Sequence, residues 1–459
     1  MEEKYYDQNE YRGNCRGAPG DRYAEVDSVV IDNREAKKGS LFVAIKGERL
    51  DGHSFVKAAK EAGAAAALVS EDVDCGIPLI KVEDTGEAFL TLANHYRKKF
   101  DIPIVGLTGS VGKTTTKEMI WNVLGARFNA HKTQGNLNNE IGVPRVLLGL
   151  EKEHTAAVIE MGMNHKGEIS RLTRAVQPTM AVITGIGVSH IENLGSREEI
   201  LAAKLEIVEG LPAGAVLILN ADNDMLSTVT EESLENKVRI KRFGIYNPAD
   251  IRAENIVYND NSTTFTAIIG DGKFDVTIPT TGVHNVYDAL AALLVGHELG
   301  IENDAAARAL MSYEPSGMRE KIEVVNGITL IEDCYNASPD SMKALSETLK
   351  IKGGGGRRKI AVVADMLELG EYSEKAHVDC GKYIADAGVD LLLTYGSLSK
   401  MTAESAKQNG VIRVFDFDDK KELTNHLCQI LKPGDVVAFK GSRGMKLEEV
   451  IESVKKGII

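Results

Sequence analysis

The chain has 459 residues, 43% hydrophobic and 26% charged, which is the composition of an ordinary globular protein too long for one core. Its formal net charge of −13 argues against a general binder of nucleic acids or anionic membranes, although a local basic pocket could still hold a small anion. The five cysteines form no CxxC pair, and the sequence holds no apolar signal core and no bilayer-spanning segment. We therefore expect a cytoplasmic protein of about three domains.

Residues 1–100 are predicted to form a small N-terminal α/β domain. Short apolar runs such as LFVAI and AALV alternate here with FVKAAKEAGA, whose spacing is typical of a helix. The polar string GERLDGHSF interrupts this alternation and indicates a turn. The region is therefore expected to fold around a small sheet of its own.

Residues 101–313 are predicted to form the central and largest domain. The apolar runs AAVIEM, MAVITGI and AVLILNAD alternate with helical segments, which is the signature of a doubly wound, mostly parallel sheet. Further on, STTFTAIIGDGKFDVTIP predicts a β-hairpin before the helix of HNVYDALAALLVGHELG. Ligands of such sheets bind at the carboxyl ends of the strands.

The string IVGLTGSVGKTTTKEM, at residues 104–119, is the strongest chemical signal in the chain. Glycines between a strand and a helix let backbone N–H groups turn onto phosphate oxygens, and the helix start adds its positive dipole end. Lys113 would reach the terminal phosphates, and the Thr114 hydroxyl would take Mg²⁺. Only two residues separate the glycines, fewer than in the strict P-loop pattern, and a turn that binds nothing is the alternative. The predicted phosphate-binding residues are Gly109, Ser110, Val111, Gly112, Lys113, Thr114 and Thr115.

Residues 314–459 are predicted to form a C-terminal, Rossmann-like α/β domain. After SYEPSGMREK, the strands ITLIED, KIAVVAD, LLLTYG and DVVAFKG alternate with helices. The strings DCYNASPDS and VADMLELGEYSEKAH each follow a predicted strand, which indicates a ligand-binding face. Ordinary helix capping by Asn336, Ser338 and Asp340 is the alternative explanation of the first string.

Three residues of the central domain are candidates for a metal site. Glu160 ends a buried strand and could hold Mg²⁺, although an exposed strand-end acid is an equal alternative. His190 follows another strand end, where a solvated turn histidine is the more common case. Lys204 lies in the apolar stripe of a helix predicted for residues 197–211. Its amine either reaches the surface or is desolvated, and a neutral lysine can react with CO₂ to give a metal-binding carbamate.

The loop TQGNLNNEIGVP, at residues 133–144, is rich in side-chain amides. Amides at this density supply hydrogen-bond donors and acceptors without charge, as a sugar or a peptide backbone needs. Asn138 and Asn139 are therefore candidates for substrate contacts. The alternative, which the general rule for helix starts favours, is a solvated loop with a helix N-cap.

Together, these motifs resemble the Mur ligase family along nearly the whole chain from about residue 30. The strings that carry the resemblance are FVAIKGERLDGHSF, TGSVGKTTTKEM, TQGNLNNEIGVP, EMGMNHKGEIS, ITGIGVSHIENLGS, GVHNVYDALAA, DCYNASPDSM, DMLELGE with the downstream His377, and KGSRGMKLE. Each string alone is weak, whereas their order and spacing are specific. TQGNLNNEIG and DMLELGE favour the branch of the family that adds D-alanyl-D-alanine.

The resemblance implies an ATP-dependent ligase of peptidoglycan precursor synthesis, and hence of cell-wall biogenesis, cell shape and cell division. The terminal carboxylate of a UDP-MurNAc-tripeptide would attack the γ-phosphate of ATP, and the amine of D-alanyl-D-alanine would attack the acyl phosphate. ATP and Mg²⁺ are the implied cofactors, with Lys204 carbamylated. A monomer without a nucleic-acid partner or membrane anchor is expected.

The resemblance also implies roles for individual residues. The implied catalytic residues are Lys113, Glu160, His190, Lys204 and Arg319. The implied metal ligands are Thr114, Glu160, His190 and Lys204. The residues implied to bind ATP beside the phosphate loop are Asn285, Arg319 and Asp333. The residues implied to bind substrate are Asp51, Gly52 and His53 at the UDP end, Asn138 and Asn139 at the muramoyl-peptide, and Asn336 and Ser338 at the dipeptide.

The chain departs from the family's strings at positions that include Asn33, where a Ser is common, and Asp288, where the family has an Asn. Another amide ligase of the same architecture, such as one that adds the third peptide residue or extends folates with glutamate, is the nearest alternative function. A P-loop regulatory or transport-coupled NTPase, or a non-catalytic nucleotide-binding module, is the alternative from a different class.

Overall fold

A computed structural model describes residues 24–47 and 50–457. The first 23 residues of the predicted N-terminal domain, Glu48 and Arg49 of its GERLDGHSF turn, and the last two residues of the chain lie outside the described residues. The chain divides into two compact units. The first comprises the chain up to Asp101 together with Asn139–Leu150, and the second comprises Ile102–Asn138 and the chain from Glu151 onward.

The described residues form three β-sheets. Their strands are, in chain order, β1 (Ser28–Val30), β2 (Ser40–Val43), β3 (Ala66–Val69), β4 (Leu79–Lys81), β5 (Ile104–Thr108), β6 (Ala130–Lys132), β7 (Ala156–Glu160), β8 (Met180–Ile183), β9 (Val216–Asn220), β10 (Arg239–Gly244), β11 (Ile251–Tyr258), β12 (Thr263–Ile269), β13 (Gly272–Ile278), β14 (Lys321–Val325), β15 (Ile328–Glu332), β16 (Lys359–Ala364), β17 (Leu391–Tyr395), β18 (Arg413–Phe417) and β19 (Val436–Lys440).

Helices connect most of these strands. They are α1 (Val56–Glu61), α2 (Thr85–Arg97), α3 (Lys113–Gly125), α4 (Gly142–Leu148), α5 (Glu168–Val176), α6 (Ile191–Leu194), α7 (Arg197–Leu205), α8 (Asp224–Ser227), α9 (Val283–Glu298), α10 (Asn303–Leu310), α11 (Pro339–Lys352), α12 (Ser373–Asp386), α13 (Ser399–Gln408), α14 (Lys420–Ile430) and α15 (Glu448–Gly457). In the part of the chain that is described, no helix is long and apolar enough to cross a membrane.

The first unit is built on a four-stranded parallel sheet in the order β1-β2-β3-β4. The buried residues of β2 and β3 form its core with α1 and α2, as expected for a parallel sheet covered on both faces. Helix α4, from the amide-rich segment, packs on α2, and the Tyr96 hydroxyl donates a hydrogen bond to the Leu150 carbonyl at 2.8 Å. The part of this segment from Asn139 onward therefore belongs structurally to the first unit.

The second unit contains a nine-stranded sheet in the order β13-β12-β11-β10-β9-β8-β5-β7-β6. Strands β5 to β10 run parallel, and every residue of β5 and β7 is buried, which matches their continuous apolar sequences. Strands β6 and β7, which follow β5 in the chain, lie on one side of β5 in the sheet, and β8 lies on its other side. Strand β5 is therefore at the topological switch point. Ligands of doubly wound sheets bind at the carboxyl end of this point.

The predicted hairpin is confirmed as β12 and β13, which pair antiparallel; β11 pairs antiparallel with β12 and parallel with β10. Burial alternates along β12, so one face packs against the core and the other faces solvent. The single helix predicted for residues 197–211 is wrong at its end. Helix α7 ends at Leu205, and a 3-10 turn at Glu206–Gly210 follows, because Gly210 and Pro212 favour the end of a helix.

The third sheet, also in the second unit, has the order β14-β15-β19-β16-β17-β18, with only β14 antiparallel among its described strands. The predicted α/β class, with a central, mostly parallel sheet between a smaller N-terminal and a C-terminal α/β part, is confirmed. The three sheets fall within the three predicted domains. The boundaries 1–100, 101–313 and 314–459 themselves stay a prediction.

Candidate active site

The phosphate loop connects β5 to α3 at the switch point. Gly112, the N-cap of α3, has a φ of 80°, and a Cβ there would lie 2.7 Å from Asp288 Oδ1. Gly109 has a φ of 153°, and a Cβ would lie 1.9 Å from Thr184 Oγ1. Both positions therefore require glycine, for conformation and for space. The loop has the strand-turn-helix context that a phosphate cradle needs.

Lys113 opens α3 and folds back over this loop. Its Nζ donates hydrogen bonds to the carbonyls of Gly109 at 2.7 Å and Ser110 at 3.4 Å. Burial lowers the pKa of Lys113, the charge of Glu160 opposes that effect, and the charge of Arg319 adds to it. Lys113 and Arg319 are thus two neighbouring cations, and Arg319 also stacks on the Tyr335 ring at 3.8 Å. Two such cations favour an anion between them.

Glu160, at the carboxyl end of β7, connects the phosphate loop to the amide-rich loop. The Thr114 hydroxyl donates to its Oε2 at 3.1 Å, and the Asn138 amide donates to its Oε1 at 2.8 Å. The backbone N–H of Glu160 donates to Thr133 Oγ1 at 2.9 Å. Glu160 is 1% exposed, so the alternative of an exposed strand-end acid is wrong. Two predicted metal ligands, Thr114 and Glu160, are therefore adjacent.

Lys117 is a charged residue of this site that the sequence interpretation missed. Its side chain is fully buried, with Nζ 3.2 Å from Glu118 Oε1 and 3.7 Å from Glu160 Oε2. The same Nζ donates to the Gly135 carbonyl at 3.4 Å. The signal was its position four residues after Lys113, which puts both lysines on one face of α3. Lys117 compensates the Glu160 charge and contacts the amide-rich loop.

His190 lies between β8 and α6 in a left-handed conformation, with a φ of 63°. Its Nδ1 is 2.9 Å from Glu368 Oε2, and this contact lowers the pKa of the Glu368 carboxyl. Glu368 belongs to the DMLELGE string, so the structure brings that string to His190. Across residues 24–47 and 50–457, no group of three or more His, Cys, Asp and Glu residues could hold a metal ion. A metal bound here would need Thr114 or a modified Lys204 as well.

Lys204 is buried on α7, with 2% of its surface exposed. Its pKa lies well below the ordinary value because of burial and because of the nearby charge of Lys113. Within the described residues, no hydrogen bond or ion pair engages its amine. The sequence left open whether the Lys204 amine reaches the surface or is desolvated. The structure shows that it is desolvated.

The residues predicted for the nucleoside side form two buried polar clusters. Asn285 donates hydrogen bonds from Nδ2 to the Thr281 carbonyl and to Glu320, both at 2.9 Å. The neighbouring His284 also contacts Glu320. Burial of the His284 ring lowers its pKa, but the Glu320 carboxylate outweighs this effect and raises the pKa of His284 to about 9. Asp333 pairs with Lys440 at 2.5 Å. Asn285 and Asp333 are therefore held rigidly, and their contact with ATP stays a prediction.

Asp288 is buried on α9, where it accepts a hydrogen bond from the Thr116 hydroxyl at 2.6 Å. Burial raises the pKa of Asp288 to about 7, against the effect of the Thr116 hydrogen bond. Asp288 thus lies directly under the phosphate loop, against Gly112.

We expect Asp288→Asn to stabilise the ligand-free protein by about 4 kcal/mol at pH 8 and by less than about 1 kcal/mol at pH 4. Well below its unfolded pKa of 3.8, Asp288 is protonated in both the folded and the unfolded state. Between the unfolded and the folded pKa only the unfolded chain ionises, so the stability of the wild-type protein falls as the pH rises. Above about pH 7 the loss is constant. Thermal unfolding of both proteins at pH 4, 6 and 8 measures the difference in stability. An equal gain in the stability of Asp288→Asn at all three pH values would contradict the raised pKa of Asp288.

In the first unit, Asp51 caps a 3-10 helix at Gly52–Phe55 by accepting from the His53 N–H at 2.9 Å. A Cβ on Gly52 would lie 2.7 Å from Ile45 backbone atoms, so glycine is required. The His53 ring lies 2.6 Å from Asp51 Oδ1 and accepts from the Ser70 N–H at 2.9 Å. Local folding therefore accounts for Asp51, Gly52 and His53 at these positions, and their contact with UDP stays a prediction.

The remaining predicted substrate residues flank helices. Asn139 Oδ1 accepts from the Gly142 N–H at 2.8 Å at the start of α4. Ser338 is the N-cap of α11, while the Asn336 side chain is exposed. Ser338 therefore caps α11, as the alternative interpretation predicted, and Asn139 accepts an N–H at the start of α4, whose N-cap is Ile141. The substrate contacts of Asn139, Asn336 and Ser338 stay predictions.

Comparison with known proteins covers nearly the whole chain. Residues 107–296 match the model of the Mur ligase middle domain, residues 319–443 that of the Mur ligase glutamate ligase domain, and residues 25–97 that of the Mur ligase family catalytic domain.

Among the similar sequences are two named UDP-N-acetylmuramoyl-tripeptide–D-alanyl-D-alanine ligase. The one from Bacillus subtilis is 41% identical over 434 residues, which cover 94% of this chain and 93% of that protein. The one from Escherichia coli is 37% identical over 438 residues, which cover 94% of each.

Solved structures of MurF are also similar to this chain. MurF from Acinetobacter baumannii superposes with a TM-score of 0.87 at 32% identity and covers 94% of each chain. MurF ligase from Thermotoga maritima, in complex with ADP, superposes with a TM-score of 0.85 at 28% identity and covers 95% of this chain and 98% of that one.

Proposed function

The chain belongs to the Mur ligase family, and we propose that it is the ATP-dependent ligase that adds D-alanyl-D-alanine to UDP-N-acetylmuramoyl-tripeptide. The observation that carries the proposal is the convergence of Lys113, Thr114, Glu160 and Arg319 at the carboxyl ends of β5 and β7. These residues suit a reaction that activates a carboxylate with ATP. The similarity to relatives named for this reaction, over 94% of the chain, supports the choice of substrates.

The terminal carboxylate of the tripeptide attacks the γ-phosphate of ATP and forms an acyl phosphate with release of ADP. The amine of D-alanyl-D-alanine then attacks the acyl carbon and releases phosphate. The first step brings two anions together, so it requires positive charge at the phosphoryl group. Lys113 and Arg319 supply that charge, and the backbone N–H groups of the loop from Gly109 to Thr114 hold the phosphates.

We also propose that Mg²⁺ binds at Thr114 and Glu160, with His190 and a carbamylated Lys204 as further ligands. The Thr114 hydroxyl and the Glu160 carboxylate are hard oxygen donors 3.1 Å apart, which suits this ion. When bound, Mg²⁺ neutralises charge on the phosphates. Lys113 lies near enough to lower the pKa of the Lys204 ammonium. The positive charge of Lys113 would therefore favour a carbamate anion at Lys204.

The roles of the more distant residues follow from the same proposal. Asn285 and Asp333 contact the nucleoside side of ATP. The UDP end lies at Asp51, Gly52 and His53, and the muramoyl-peptide lies at Asn138 and Asn139. Asn336 and Ser338 contact the dipeptide. The reaction takes place in the cytoplasm, where ATP is available, and the enzyme acts as a monomer.

The substrate assignment is tested by phosphate release with pairs of acceptor and amine. We expect release to require both a UDP-MurNAc-tripeptide and D-alanyl-D-alanine, with a product mass equal to the sum of the two minus water. Parallel reactions replace the dipeptide with single amino acids, or the sugar nucleotide with UDP-MurNAc-dipeptide or folates. Equal turnover in those reactions would favour another amide ligase, and release without any acceptor would favour a regulatory NTPase.

A further inference from the structure

Asp340 is an acidic residue near the phosphate loop for which the proposed mechanism has no role. It lies in the first turn of α11, where Ser338 and Ser341 already form the capping box. The residue is exposed. Within the described ranges, no hydrogen bond or ion pair engages its carboxylate. The start of the helix is therefore capped without it, and a ligand could reach it.

The Asp340 carboxylate points at the loop between β8 and α6. A Cβ at Gly187 would lie 2.0 Å from Asp340 Oδ2 and 3.5 Å from Ser110 Cβ. Gly187 thus marks the point where the start of α11 meets the phosphate loop. The same short connection carries His190 three residues later. Asp340 therefore lies at the edge of the site where the transferred phosphoryl group would lie.

Other carboxylates at this site already have specific partners. Glu160 accepts from Thr114 and Asn138. The remaining pairs are Asp288 with Thr116, Glu368 with His190, Asp333 with Lys440 and Asp224 with Arg197. Asp340 differs from all of them because, in the part of the chain that the structure describes, no hydrogen bond or ion pair engages its carboxylate.

This inference rests on the proposed function. Among the substrates of that function, the negative charge of Asp340 favours binding of a cationic group. ATP and the tripeptide carboxylate are anions, and Asp340 repels both. D-alanyl-D-alanine carries an α-ammonium group, which a carboxylate attracts. That ammonium must also lose a proton before its nitrogen can attack a carbonyl.

We propose that Asp340 is a catalytic residue that binds the α-ammonium of D-alanyl-D-alanine and accepts a proton from it. The freed lone pair on nitrogen forms the C–N bond with the acyl carbon. The electron pair of the C–O bond to the phosphoryl group leaves with phosphate, which accepts the second proton that the nitrogen loses. The peptide bond, phosphate and a protonated Asp340 result, and Asp340 then releases its proton to solvent.

The surroundings of Asp340 suit a base. Asp340 keeps an exposed surface, but the residues packed around its carboxylate desolvate it enough to raise its pKa; the charges of Arg197 and Lys343 oppose the rise, and Asp224 adds to it. Arg197 is already engaged by Asp224 at 2.6 Å and by the Ile186 carbonyl at 2.8 Å. Tyr383 on α12 is the other titratable group that interacts with Asp340. A carboxylate with a raised pKa accepts a proton more readily.

The experiment compares two nucleophiles in the holoenzyme with ATP, Mg²⁺ and UDP-MurNAc-tripeptide. Hydroxylamine is uncharged at neutral pH, so it can attack the acyl phosphate without a base and gives a coloured hydroxamate. We expect Asp340→Asn to lower kcat with D-alanyl-D-alanine at least about 100-fold. Hydroxamate formation should stay within about twofold, because activation of the tripeptide does not involve Asp340.

Asp304→Asn is the matched control, because Asp304 is also an exposed first-turn aspartate of a helix, α10. It should change neither reaction, while Asp340→Glu should restore part of the ligation. Wild-type ligation by Asp340→Asn, or an equal loss of both products, would overturn the role of Asp340 in the second step. If the wild-type enzyme formed neither peptide nor hydroxamate, the proposed function would fail, and the inference with it.

Discussion

Replacing Lys113 with alanine is expected to abolish ATP-dependent ligation while the fold stays intact. Within the described residues, its amine donates hydrogen bonds to the carbonyls of Gly109 and Ser110 and to no side chain, so its removal breaks no side-chain hydrogen bond there. In the proposed reaction, however, Lys113 would neutralise charge between two approaching anions. Loss of one such cation typically lowers turnover by about 10³-fold or more. Phosphate release with both substrates measures turnover, and thermal unfolding checks the fold.

Lys407→Ala is the control, because Lys407 is an exposed lysine on α13. It should keep wild-type turnover. A Lys113→Ala enzyme that folds and ligates at the wild-type rate would contradict the assignment of residues 109–114 as the phosphate loop. A variant with lost turnover and an unchanged unfolding temperature would support it.

The fold could be predicted well because its signals are local. The run from Ala156 to Glu160 is continuously apolar before its final acid, and it forms the buried parallel strand β7. The glycines of the phosphate loop allow the turn between β5 and α3. The end of α7 was predicted less well, because apolar spacing continues past Leu205 while Gly210 and Pro212 already favour a tighter turn.

The site was only partly predictable because its contacts join distant segments. The pairing of Thr114 with Glu160, 46 positions apart, follows from two strands that end at the same edge of the sheet. In contrast, Glu368 meets His190 from another sheet, and no periodicity in either segment indicates that contact. Likewise, the sequence around Asp340 is explained by helix capping alone, and the position of its carboxylate against Gly187 depends on the tertiary fold.

Replacing Lys204 with methionine is expected to abolish ligation and to stabilise the ligand-free protein. Methionine has a similar length and no charge, so it removes a desolvated amine that has no polar partner in the described residues. Burial of an unpaired polar group costs about 1–3 kcal/mol, so unfolding should shift to a higher temperature. Turnover should fall by about 10³-fold or more, because the variant would lose the proposed carbamate ligand of the proposed metal site.

The carbamate itself can be observed without measuring activity. With ¹³C-bicarbonate, the wild-type protein and Lys407→Met should both show a carbamate carbon signal, and Lys204→Met should lack it. Removal of CO₂ should lower wild-type turnover, and bicarbonate should restore it, because the proposed carbamate would form by reversible reaction of CO₂ with the neutral amine of Lys204. Full activity with an unmodified Lys204 would refute the carbamate. A more stable, inactive Lys204→Met would show that Lys204 serves the reaction rather than the fold, because a structural lysine would lower stability when removed.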